Sequence, residues 1–85
     1  MERKEIEIKL NKILETLSDE IGYEKTSITD KANLRTDLGL DSLDEVELLT
    51  KIEDYFEIHI PDDILTSGLG TVSNLCDIIE KLKNE

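Results

Sequence analysis

Eighty-five residues carry 21 Asp and Glu against 10 Lys and Arg, a formal net charge of −11 at neutral pH; the length supports one domain, 1–85, and excludes two separate cores. That charge repels phosphate backbones and anionic lipid, so nucleic acid and membrane insertion are excluded as expectations, while basic patches on other proteins are favoured. A lone cysteine, Cys76, excludes an internal disulfide; no stretch reads as a signal peptide or a membrane span, and a reducing, cytoplasmic setting is expected.

In chain order, Ile6, Leu10, Ile13, Leu14, Leu17 and Ile21 recur at helical spacing and predict a first helix. Gly22 suits its stop, where positive φ is needed. Ile8 falls near the opposite face and is expected to be exposed. From about 23 to 41 no period persists, a connection abnormally long for so small a domain. Ile28, Leu34, Leu38 and Leu40 are spaced to pin it to the core. A second helix is predicted from about 42 to 56 or 57, with Leu48, Leu49, Ile52 and Phe56 on its buried face. Pro61 can open a short helix over 62–66. Gly68 and Gly70 punctuate, and Thr71 can cap a last helix striped by Val72, Leu75, Cys76, Ile79 and Leu82. The pattern implies an all-α four-helix bundle, three main helices and one short, with a long loop between the first two.

The informative stretch is 37–48. On a helical wheel Asp44, Glu47, Thr50, Lys51, Asp54 and Glu57 share the face away from the core stripe. Leu43 lies in the middle of this polar face and Val46 at its edge, where neither buries anything within the bundle. Together they read as a docking spot, a small apolar centre with a charged rim. The plain alternative is scattered surface apolars on a solvated helix. Ser42 also has two readings. Ser42-Leu43-Asp44-Glu45 matches a capping box, with Ser42 as the cap. The same helix start, with its free N–H groups and positive dipole end, suits a covalent phosphate. Spacing leaves both open.

Asp41-Ser42-Leu43, preceded by Leu38-Gly39-Leu40 and followed by Asp44, Val46, Glu47 and Leu48, resembles the phosphopantetheine attachment segment of acyl carrier proteins. Ile60-Pro61-Asp62-Asp63 and Thr71-Val72 stand where that family places similar elements. The resemblance implies that Ser42 receives 4'-phosphopantetheine from coenzyme A through a separate Mg²⁺-dependent phosphopantetheinyl transferase (a holo-carrier synthase), with Asp41 at the transferase contact. It implies that Leu43, Asp44, Val46, Glu47, Glu53 and Asp54 are read by acyl-processing enzymes with basic patches. It also implies a monomeric carrier that catalyses nothing itself and holds acyl intermediates as thioesters. Free-standing length and an acidic second helix lean towards fatty acid biosynthesis; polyketide, aminoacyl and D-alanyl carriers share the chemistry. The chain departs from the pattern at Thr50, where an apolar contact residue is usual, and at Lys51 and His59, which are less acidic than expected. Its loop 61–71 is one residue longer and holds Ile64, Leu65 and Leu69, which either close the core or adjust a pocket for the acyl chain.

Other chemistries fail on residue type. A Ca²⁺ loop from Asp37 would put Ser42 where Gly is needed and Leu48 where Glu is needed. A serine hydrolase needs a base, yet His59 is the sole histidine and the second Gly of a nucleophile elbow is missing. Cys76 reads as a core residue, and Tyr55 as a partly exposed packing residue. The remaining competitor is an unmodified acidic adaptor with Ser42 as a plain cap.

Overall fold

Each predicted stripe becomes the buried face of a helix in the computed structural model, which describes residues 2–84. α1 spans Arg3–Ile21, α2 Ser42–Phe56, α3 Asp62–Ser67 and α4 Val72–Lys83, with a single 3-10 turn at Lys25–Ser27. This is the expected all-α architecture, and the described residues contain no strand, only an isolated bridge between Asn33 and Thr71. No helix among them is long and apolar enough to cross a membrane.

In α1, Ile6, Leu10, Ile13, Leu14 and Leu17 are buried while Ile8 stays exposed. Gly22 ends the helix at φ 104°, its N–H donating to the Ser18 carbonyl at 2.8 Å. α1 packs on both α2 and α4. Arg3 strengthens the second contact, donating to the Asp77 carboxylate and to the Ser73 carbonyl. With α1 packed on both helices, Leu48, Leu49, Ile52 and Phe56 of α2 and Val72, Leu75, Cys76 and Ile79 of α4 belong to one core. Lys83 Nζ closes its far end, 2.8 Å from the Phe56 carbonyl.

The long connection is held as its apolar spacing predicts. Leu34, Leu38 and Leu40 are buried, joined by Ala32, and Ile28 packs at the edge. Its backbone is tied to the start of α4: Leu34 N–H donates to Gly70 O, Val72 N–H to Ala32 O and Ser73 N–H to Asp30 O, at 2.9–3.0 Å. Leu40 N–H returns to Leu34 O at 3.0 Å, closing the last turn before α2. In the 61–71 segment, Leu69 is fully buried and closes the core, while Ile64 and Leu65 pack at its margin.

Candidate functional site

The start of α2 corrects the expected capping box. Asp41, not Ser42, is the cap: its Oδ1 accepts from Asp44 N–H at 2.9 Å, and Asp44 Oδ2 accepts from Asp41 N–H at 3.2 Å. The box therefore sits one residue earlier than 42–45. The physical reason is Glu45, which the expected box would have needed on the outside. Glu45 is fully buried, and its carboxylate accepts from Arg35 Nε at 3.0 and 3.2 Å and from Nη2 at 2.8 Å. A carboxylate in that position must be paired, and the forked guanidinium matches it bidentately. Arg35 itself remains half exposed on the loop, so the pair joins the 33–40 turn to the first turn of α2.

Relieved of capping, Ser42 is the first residue of the helix and is exposed. Among the described residues its hydroxyl has no hydrogen-bond partner, and no backbone carbonyl accepts from the N–H of Ser42 or Leu43. The open hydroxyl, the two free amides and the positive end of the helix suit an esterified phosphate.

Around it the structure gathers most of the predicted docking residues. Leu43 is 80 % and Val46 46 % exposed, large values for apolar side chains. Glu47 is exposed beside them and Asp44 is half-buried in its capping role, whereas Asp54 is exposed further along the helix, among Lys12, Lys51 and Tyr55. Glu53 stands apart. Its Oε2 accepts from Ile60 N–H at 2.8 Å and lies 3.2 Å from His59 Nδ1, so it fastens the turn after α2. Glu47 faces Glu20 of α1, and the hydrogen bond and like charge between them raise the Glu47 pKa above its ordinary value. Beside Val46, a cleft of about 130 Å³ opens towards α3, walled by Leu49, Ile60, Pro61 and Leu65. Thr50, Glu53, His59 and Asp62 share its lining, so the cleft is open and of mixed polarity.

The sequence pattern alone does not single out the Arg35–Glu45 pair. One signal existed: Glu45 lies three and four residues before Leu48 and Leu49, which puts an acid on the buried stripe. Cys76 behaves as expected of a core thiol, 1 % exposed and pushed up to about 11 chiefly by burial.

A family model described as the phosphopantetheine attachment site matches residues 11–79. The chain is 40 % identical to the acyl carrier protein of Syntrophobacter fumaroxidans, over 85 % of this chain and 88 % of that one. It is 44 % identical to the acyl carrier protein of Guillardia theta, over 81 % and 80 % of the two chains. With the acyl carrier protein of Prochlorococcus marinus the identity is 36 %, over 87 % and 91 %.

Proposed function

The chain belongs to the acyl carrier proteins, a family of non-catalytic carriers with covalent 4'-phosphopantetheine, and we propose that Ser42 is the residue bearing the arm. The observation that carries this is the free, exposed Ser42 hydroxyl on a helix whose cap is supplied by its neighbour Asp41. The competing adaptor reading needs Ser42 as the cap, and Asp41 already fills that role. When attached, the arm supplies the terminal thiol on which acyl groups are held as thioesters. The protein's own part is to fix the ester at a helix start that stabilises its charge, and to present the surface that partners read.

Phosphopantetheinyl transferases and acyl-processing enzymes are the partners of this family. Here Asp41 stands at the transferase contact, and Leu43, Val46 and Glu47 form the outward face for basic partners, with Asp44 at its root and Asp54 further along the helix, on the groove it shares with Lys12 and Lys51. Residues 1–85 act as one carrier domain, supported by a single core built from α1, α2, α4 and the connecting loops, with Ile64 and Leu65 of α3 packed against it. Intact mass after incubation with coenzyme A and a broad-range transferase tests the assignment. A gain of one phosphopantetheine is expected, and none in Ser42→Ala; a gain that survives the substitution would falsify it.

The cargo we propose is fatty acyl, carried in the cytoplasm during fatty acid biosynthesis. Support comes from the acidic α2 face and a single thiol kept buried. The expected result is fatty acyl thioesters on the protein recovered from the cytoplasmic fraction of its cells. Aminoacyl, D-alanyl or polyketide thioesters there would redirect the pathway.

A further inference from the structure

The seam between α1 and α2 changes sign along its length. Near Ser42 it is acidic, where Glu20 faces Glu47. Further along it opens into a groove of about 500 Å³ lined by Lys12, Ile13, Thr16, Lys51, Asp54 and Tyr55. Lys9 extends the basic side, its ammonium 5.6 Å from the centroid of the Tyr55 ring. Tyr55 is 52 % exposed, and so, at 51 %, is Ile8, one turn before Lys12. Three of the ten basic residues thus converge on an apolar floor in a chain of net charge −11, against one aspartate. Among the described residues the ion pairs engage Arg3, Lys25, Arg35 and His59, and none of these three lysines, although Lys51 lies near enough to Glu47 to favour its ionised form.

We propose that this groove is a second docking surface, occupied by an acidic segment of an acyl-processing partner that also offers an apolar side chain. Carboxylates of that segment meet Lys12 and Lys51, and its apolar residue lies on Ile13 and the Tyr55 ring. The partner class rests on the carrier reading above; the occupant's charge rests on the lysines alone. A partner matching the whole seam must be basic opposite Glu47 and acidic opposite Lys12. Such alternation fixes orientation, because a carrier docked backwards sets like charges against like. A uniformly basic partner would be repelled here, so the groove also separates one class of partner from another.

The test titrates isotope-labelled protein with a short helical peptide carrying Leu on one face and Glu on the other. Backbone amide shifts are expected at Ile13, Thr16, Lys51 and Tyr55, with the Lys version of the peptide shifting Leu43 and Glu47 instead. K12E/K51E should weaken the acidic peptide about 10-fold, since two attractions become two repulsions. K12Q/K51Q, which adds no negative charge to the fold, should weaken it less and keeps the result readable if the first variant melts. Binding indifferent to both variants, or acidic-peptide shifts confined to other surfaces, overturns the proposal. So do phosphatidylglycerol vesicles that reproduce the peptide's shifts, which would make the groove a membrane contact. The titration is repeated on Ser42→Ala, where binding should persist, so a failed arm attachment and a failed groove give different results.

Discussion

α2 and α4 begin with the same chemistry and end up with opposite exposure. Asp41 and Thr71 each accept a hydrogen bond from the amide three residues on, Asp44 N–H at 2.9 Å and Asn74 N–H at 3.1 Å. The next residue is exposed Ser42 in one case and Val72, 2 % exposed, in the other. At α4 the first amides are consumed by Ala32 and Asp30 of the long loop, and Arg3 reaches across from α1 to the Ser73 carbonyl. At α2 the corresponding amides, of Ser42 and Leu43, meet no carbonyl among the described residues. A side-chain cap alone therefore makes a helix start stable without closing it. What closes one is a second segment laid over it, and the loop that covers α4 leaves α2 open.

The sharpest way to break this contrast uses the two thiols of the arm-bearing protein. The arm thiol, which the proposal tethers at Ser42 on the open start, should react with a thiol reagent at the rate of a free thiol. Cys76, on the covered helix, has its thiol pushed up to about 11 and its sulfur buried. At mildly alkaline pH little of it is thiolate, and reaction must wait for the fold to open. Labelling at least about 100-fold slower than that of the arm is expected. Two equal fast phases in folded protein would show that α4 is not closed after all.

A smaller effect comes from exchanging the first residues of the two helices. Val72→Ser removes a buried side chain and places a hydroxyl in the core, so urea unfolding should show a loss of about 2–3 kcal/mol. That is a large share of the ~5 kcal/mol typical at the lower end for small domains. Ser42→Val should stay within ~0.5 kcal/mol of the parent, as surface changes usually do, while losing arm attachment entirely. Comparable destabilisation by both would erase the distinction between the two starts.

How far the sequence shows this contrast depends on which contacts are local. The stripes of α1, α2 and α4 repeat every three to four residues, so the helices and nearly all their buried residues are legible. The anchoring Leu34, Leu38 and Leu40 are legible too, because apolar residues in an aperiodic segment have few other places to go. The choice of cap is not. Asp41-to-Asp44 and Ser42-to-Glu45 are both acceptable boxes one residue apart, and local propensity does not separate them. Arg35 decides it from the preceding turn by drawing Glu45 inward. The contacts of Glu53 are illegible for the same reason. Its partner, the Ile60 amide, lies beyond a turn closed by Glu57 at φ 56°, a left-handed conformation that a non-glycine sequence does not advertise.

The smallest expected effect sharpens the comparison by separating stability from recognition at the open end. Glu20 raises the Glu47 pKa, first through their hydrogen bond and then through like charge. An acid whose folded pKa lies above its unfolded value binds its proton more tightly when folded. Its ionised form is therefore unfavourable in the folded state at neutral pH, and that penalty is relieved as pH falls through the raised value. Glu20→Gln removes the opposing charge. The variant should melt slightly higher than the parent at neutral pH, and the gap should narrow on acidification into the carboxylate range. Both side chains are exposed, so added salt should shrink the gap as well. A basic partner has the contrary preference, since a Lys or Arg set between the two carboxylates favours both ionised. The same variant should then bind basic partners more weakly while folding more stably. A variant that melts lower at neutral pH, or a gap unchanged by pH, would show that the pair supports the fold and is not held open for a visitor.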